Sequence, residues 1–318
     1  MEPIEVLAYS IDEEGKTIGL GTSYGFVVYG FEKKDPYVRF KKILGHGIGL
    51  ISVYKSSNIV AYVGGGKNPY SKLNDVEVWD DRTSSIVFKK KFESDICGIS
   101  LKKNFFIVAL KNVMYVYKLS TGFCTTILTS PNLDGIFAYY EKTELLLTLS
   151  EESGCINMYC LKSGSPEIET IQTNIKCFKY PISNISIDPS GKFAVVFCIK
   201  TQYFHFIDLQ TKQIYYKISN QGTTIKKQPF ILLSPAILVA VTGGCATFYD
   251  ILKNKKNKFY IMKLDKAAPP AIAFLTTWQQ GGPKLHIIDK NGKVNIYEVL
   301  VNPDLEVSTT NILTKALL

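Results

Sequence analysis

No stretch of this 318-residue chain is built to cross a membrane as a helix. The longest apolar run, Phe230 to Val241, is broken by Ser234-Pro235. At about a dozen residues it falls well short of the ~20 that a span needs, and it reads as two buried strands with a turn between them. The opening residues Met1 to Val6 are acidic and lack an apolar h-region, so no secretory signal is expected. Histidine is scarce: only His46, His205 and His286 occur, and none stands in a nucleophile or metal motif. His205 near Asp208 reads as strand packing and not as a catalytic dyad. The seven cysteines are an odd number, and without an export signal they are expected to be reduced thiols. Cys155 and Cys160 sit at strand positions that point to opposite faces, so they cannot grip one metal. No metal, cofactor or catalytic residue is expected. Long helical periodicity is missing as well. Aromatics are not interleaved with arginine on an exposed sheet, which excludes a nucleic-acid platform.

What the chain has is strand material. Apolar residues make up 46%, with 19 Tyr and 18 Phe, enough to fill the space between packed sheets. The formal charge of +9 points to anionic partners: acidic lipid, nucleic acid or acidic protein. A short apolar strand closing on an aromatic or aliphatic residue recurs seven times. The closing residues are Tyr29, Trp79, Tyr117, Tyr159, Ile207, Tyr249 and Tyr297. Their spacing averages about 45 residues, the length of one four-stranded propeller blade. The expected fold is all-β, a seven-bladed β-propeller with four-stranded antiparallel, WD40-like blades, forming one domain over residues 1–318.

Two repeats show the grammar. In the first, Ile4–Tyr9, Thr17–Gly21, Gly25–Phe31 and Val38–Ile43 are strands, with turns at 12–15 and 22–25. In the fifth, the strands are Ile182–Ile187, Lys192–Cys198, Gln202–Asp208 and Gln213–Ile218. The turn Asp188-Pro189-Ser190-Gly191 presets φ with proline and admits positive φ with glycine. Each blade is expected to be contiguous in sequence, with no exchanged strand, and the last to end near residue 312.

The stretch from Ser57 to Pro69, with Gly64-Gly65-Gly66-Lys67-Asn68-Pro69, narrows the field. So do Asn74 to Asp81, containing Trp79-Asp80-Asp81, Phe92 to Lys103, and Phe106 to Tyr117. Together with 21–26 and 47–50 they resemble the PROPPINs, the phosphoinositide-binding propellers of autophagy. The likeness is dense over residues 4–120 and thinner from there to about 250. A phosphate-cradling P-loop is excluded, because Ala61 and Asn68 stand where the pattern needs glycine and Ser or Thr, and no helix is expected to follow.

The resemblance implies a lipid site at the exit of blade five, where the family carries Arg-Arg-Gly for the phosphates of PI3P or PI(3,5)P2. Arginine suits that work through bidentate, charge-assisted hydrogen bonds. Aligned on Asp208 to Tyr216, the matching positions here are Ser219, Asn220, Gln221 and Gly222, followed by Thr223: the glycine is kept and both arginines are gone. The family's basic residue on the third strand falls at His205, and its histidine before the first strand at Tyr180. Lys200, Lys217, Lys226 and Lys227 remain as point charges. In relatives a long loop of blade six dips into the membrane; here Lys253, Lys255, Lys256 and Lys258 on a short hairpin are the candidate membrane contacts. The partner implied is an Atg2-like lipid-transfer protein along blades one to three, near Asp12, Lys67, Asn68 and Lys72.

These readings lead to a non-enzymatic, monomeric scaffold of autophagy. It is expected in the cytoplasm, peripheral on autophagosome-precursor or endolysosomal membranes, with weakened phosphoinositide binding. The alternative is a protein-interaction WD-repeat scaffold that binds no lipid.

Overall fold

The computed structural model describes residues 4–12, 15–31, 36–163 and 168–220 throughout, and beyond them mainly the strands from Phe230 to Ala316. They form seven four-stranded antiparallel sheets, each made of four consecutive strands. The first spans Val6 to Ile43, the second Ile48 to Lys91, the third Ile96 to Leu128 and the fourth Phe137 to Lys176. The fifth spans Asn184 to Ser219, the sixth Phe230 to Lys263 and the seventh Pro270 to Ala316. Among the described residues the one helical element is a 3-10 turn, Glu141–Thr143. All seven closing residues read from the sequence fall on the third strand of a sheet.

The first sheet is displaced from its expected start: its opening strand is Val6–Ile11, two residues later than the pattern suggested. Ser10 is retained within it because its Oγ accepts the Val53 N–H at 3.1 Å. The run from Phe230 divides into strands Phe230–Ser234 and Ile237–Thr242, as its Ser-Pro break implies.

Two compact units are distinguished. One comprises residues 1–110, 268–301 and 308–318, the other 111–267 and 302–307. In the first unit, Phe26, Val28 and Phe40 of the first sheet pack on Ile51, Val53, Val60 and Tyr62 of the second. In the second, the strand Phe193–Cys198 shows why its sequence is apolar without alternation. Ala194, Val196 and Cys198 face the fourth sheet's Leu145, Leu147 and Met158, while Val195 and Phe197 join Leu238 and Tyr249 of the sixth. A strand buried on both faces needs apolar residues at every position.

A β-bulge recurs where the third strand meets the fourth. It falls between Val28 and Tyr29, Val78 and Trp79, Met158 and Tyr159, and Phe206 and Ile207. In each case the residue after the irregularity is the closing residue of the repeat. The bulge bends the outer strand and increases its twist.

Candidate functional site

The fifth sheet carries the expected lipid region. Its third strand, Tyr203–Asp208, pairs with the outer strand Gln213–Ser219, bringing His205 opposite Lys217 and Tyr203 opposite Ser219. The chain then leaves the sheet at Asn220. The Asn220 N–H donates to the Gln202 carbonyl at 2.7 Å. Its side-chain amide donates to Gln202 Oε1 at 2.9 Å, and its Oδ1 accepts the hydroxyl of buried Tyr249 at 2.6 Å. Where the family presents a guanidinium, this chain ties an amide to the preceding hairpin and to the sixth sheet. Gln221, Gly222 and Thr223, with Lys226 and Lys227, lie outside the described residues.

His205 is buried, and its ring stacks on Phe178 with centroids 4.0 Å apart. Burial, followed by the nearby Lys217 charge, pushes its pKa down to about 4, against a backbone hydrogen bond with Cys177 acting in the opposite sense. A neutral, stacked imidazole brings no positive charge to an anion at neutral pH. Lys200 is exposed, with its ammonium 4.0 Å from the Tyr180 ring centroid. Tyr180 stands at the position where the resemblance implies a histidine, and it holds this lysine through a cation–π contact. Lys200 and Lys217 are therefore the cations of this region among its described residues. Arginine is almost absent from the chain, which holds only Arg39 and Arg82. Arg39 bonds to the Ser56 carbonyl and the Thr17 hydroxyl. Its dearth elsewhere was legible in the composition.

Lys253, Lys255, Lys256 and Lys258 lie outside the described residues. Among the described residues no helix is long and apolar enough to cross a membrane.

The partner candidates divide into two kinds. Lys67, Asn68 and Lys72 are exposed on the loop between the strands Ile59–Gly64 and Asp75–Asp80. Asp12 is buried and builds its own turn. Its Oδ1 accepts the Lys16 N–H at 2.7 Å, and its carbonyl accepts the Gly15 N–H at 3.1 Å. The same arrangement recurs at Asp188, whose Oδ1 accepts from Lys192 and Phe193, and at Asp289, whose Oδ1 accepts from Asn291 and Lys293. Reversing the Asp12 charge would thus disturb the hairpin itself, which corrects the expectation of a stability-neutral surface change.

The glycine triplet has a packing cause. Gly65 donates to the Gly47 carbonyl at 3.0 Å, and Gly47 donates to Asn68 O at 2.7 Å and accepts from Tyr70 N at 3.0 Å. A Cβ on Gly65 would stand 2.3 Å from Gly49 Cα, and one on Gly47 would stand 2.2 Å from Gly65 O. The two glycine-bearing stretches that carry the resemblance touch backbone to backbone. Beside them lies a group the motifs did not point to. Glu77 is 2% exposed, accepts the Tyr62 hydroxyl at 2.9 Å and meets Lys89 Nζ at 2.7 Å. A carboxylate inside an apolar strand was the sequence signal; its partners arise only from strand register.

Among proteins of known sequence, SVP1-like protein 2 of Debaryomyces hansenii is 32% identical over 123 residues, 37% of this chain and 28% of that protein. Autophagy-related protein 18 of Kluyveromyces lactis is 27% identical over 136 residues, 42% of this chain and 27% of that protein. The match thus spans little more than a quarter of the length of these relatives. Among solved structures, Hsv2 of Kluyveromyces marxianus has a TM-score of 0.77 at 14% identity, covering 99% of both chains. Atg21 (KlAtg21), solved in complex with the coiled coil of AgAtg16, has a TM-score of 0.74 at 12% identity, covering 98% of this chain and 99% of the other. The seven sheets are the blades of this propeller fold. No family model matches the chain.

Proposed function

We infer, for a propeller whose relatives in sequence and in fold are PROPPINs, a non-enzymatic scaffold of autophagy that binds a protein partner and holds phosphoinositide membranes only weakly. The observation that carries the reading is Asn220. The position that resemblance assigns to a phosphate-gripping arginine is occupied by an amide whose donor and acceptor serve Gln202 and Tyr249. Charge-assisted hydrogen bonds contribute ~1.5–3 kcal/mol each, against about 1 for neutral ones. Replacing two weakens headgroup binding by roughly 10- to 1000-fold. Lys200 and Lys217 supply what attraction remains, as exposed point charges.

The whole chain acts as one propeller domain, peripheral to autophagosome-precursor or endolysosomal membranes. A protein partner is favoured by the AgAtg16 coiled coil on the Atg21 neighbour, and an Atg2-like lipid-transfer protein is the partner proposed, with Lys67, Asn68 and Lys72 on the exposed rim.

Liposome flotation with and without PI3P tests the reading. The expected result is weak binding that falls steeply as salt rises. The double change Asn220→Arg, Gln221→Arg should raise it. Tight, salt-resistant binding by the unmodified protein would refute the loss of the site. No binding at any salt would leave the pure protein-interaction scaffold.

A further inference from the structure

The outer strand of the second sheet, Ser85–Lys91, exposes all seven of its residues. The outer strands of the first, third, fourth and fifth sheets each bury one apolar residue: Phe40, Ile127, Ile175 and Ile218. Here Ile86, Val87 and Phe88 are 41%, 53% and 36% exposed, and they run directly into Lys89, Lys90 and Lys91.

Register fixes the two faces. Ile86 stands opposite Trp79 and Phe88 opposite Val78, with the bulge between them. Trp79 and Val78 are adjacent on one strand and point to opposite faces, so Ile86 and Phe88 do too. On one face Phe88 meets Phe106 edge-on at 6.1 Å. On the other, Ile86 neighbours Trp79, whose ring centroid lies 3.1 Å from the Lys42 ammonium. Apolar surface is open on both faces of a sheet edge. A partner lying against one face covers only part of it, whereas a strand paired along the edge sets alternate side chains over both.

Charge narrows the occupant. Lys42, Lys89, Lys90 and Lys91 face two carboxylates, Glu77 and Asp75, the first bound to Lys89 and the second opposite Lys91. The rim keeps a positive excess at one end. Edge lysines commonly guard against strand pairing, but guards belong within the apolar stretch, and Ile86–Phe88 contains none.

We propose that Ser85–Lys91 is a docking edge for an extended segment of another protein, whose apolar residues lie along Ile86–Phe88 and whose carboxylates reach the lysine end. It rests on the scaffold reading above and assigns that scaffold a mode of capture.

A display library of short random peptides, selected on the full chain at low salt, tests it. The expected binders are extended, with apolar residues beside Asp or Glu. They slow amide hydrogen exchange within 85–91, and they lose at least tenfold in affinity on the folded double variant Ile86→Asp, Val87→Asp. A thermal melt checks that the variant folds, and exchange on the unmodified chain decides independently if it does not. Neutral or basic binders, unchanged exchange at 85–91, or no selection at all would overturn the proposal. The same variant is tried against an Atg2-type partner. Equal capture by parent and variant keeps the scaffold and removes the edge. No capture by either removes that partner, while the peptide arm still decides the edge.

Discussion

Asn220→Ala separates a lipid ligand from a structural tie. The change deletes two side-chain hydrogen bonds, to Gln202 Oε1 and from the Tyr249 hydroxyl, and leaves the backbone N–H to Gln202 in place. At about 0.5–1.5 kcal/mol per bond, the loss is roughly 1–3 kcal/mol of folding stability. That is a fall of several degrees in Tm for a chain of this size. Tyr249→Phe removes one of the two bonds and should cost about half as much. A double-mutant cycle between them should give a coupling of about 0.5–1.5 kcal/mol. Urea unfolding measures the cost, and flotation on PI3P liposomes, run below the transition, measures lipid. The expected pattern is a large change in stability with no change in flotation. A variant as stable as its parent but with flotation reduced severalfold would show that the amide contacts the headgroup, and the reasoning would fail.

Acid should destabilise the fifth sheet through His205. Its pKa in the folded chain, about 4, lies below the ordinary 6.5. The unfolded chain therefore binds more protons between those values, so this contribution is complete above pH 6.5 and is lost as pH falls toward 4. His205→Gln should flatten that part of the stability profile, and an unchanged slope would count against it. Gly65→Ala should cost about 1–3 kcal/mol, because its Cβ would stand 2.3 Å from Gly49 Cα and two backbones must separate; a change under about 0.5 kcal/mol in urea unfolding would contradict that packing.

The repeat was legible because each third strand ends on a bulky residue next to a bulge, and the apolar pattern marks that residue whatever its partners. The start of the first strand was not, because Ser10 looks like turn material until Val53, from the second sheet, supplies its partner. Asp12 misled for a related reason. A polar residue in a turn reads as surface, yet its carboxylate turns inward to collect backbone N–H groups and is buried by that act. Glu77 and Asn220 were visible only as residue types. Their meaning depends on Tyr62, Lys89, Gln202 and Tyr249, which strand register and sheet packing bring to them. The missing arginine pair was legible from the start, because a guanidinium cannot be supplied by folding.

The contact between Gly47, Gly49 and Gly65 has a consequence for how likeness among such chains is interpreted. Neither stretch can acquire a side chain without displacing the other, so a change in one is tolerated only alongside a change in its mate. Such a coupled pair drifts slowly under any ligand regime, including none. Two propellers can therefore share these glycines while one grips a headgroup and the other does not. Kinship is recorded in the spacing of two backbones, and the work each chain performs must be sought in side chains that are free to differ.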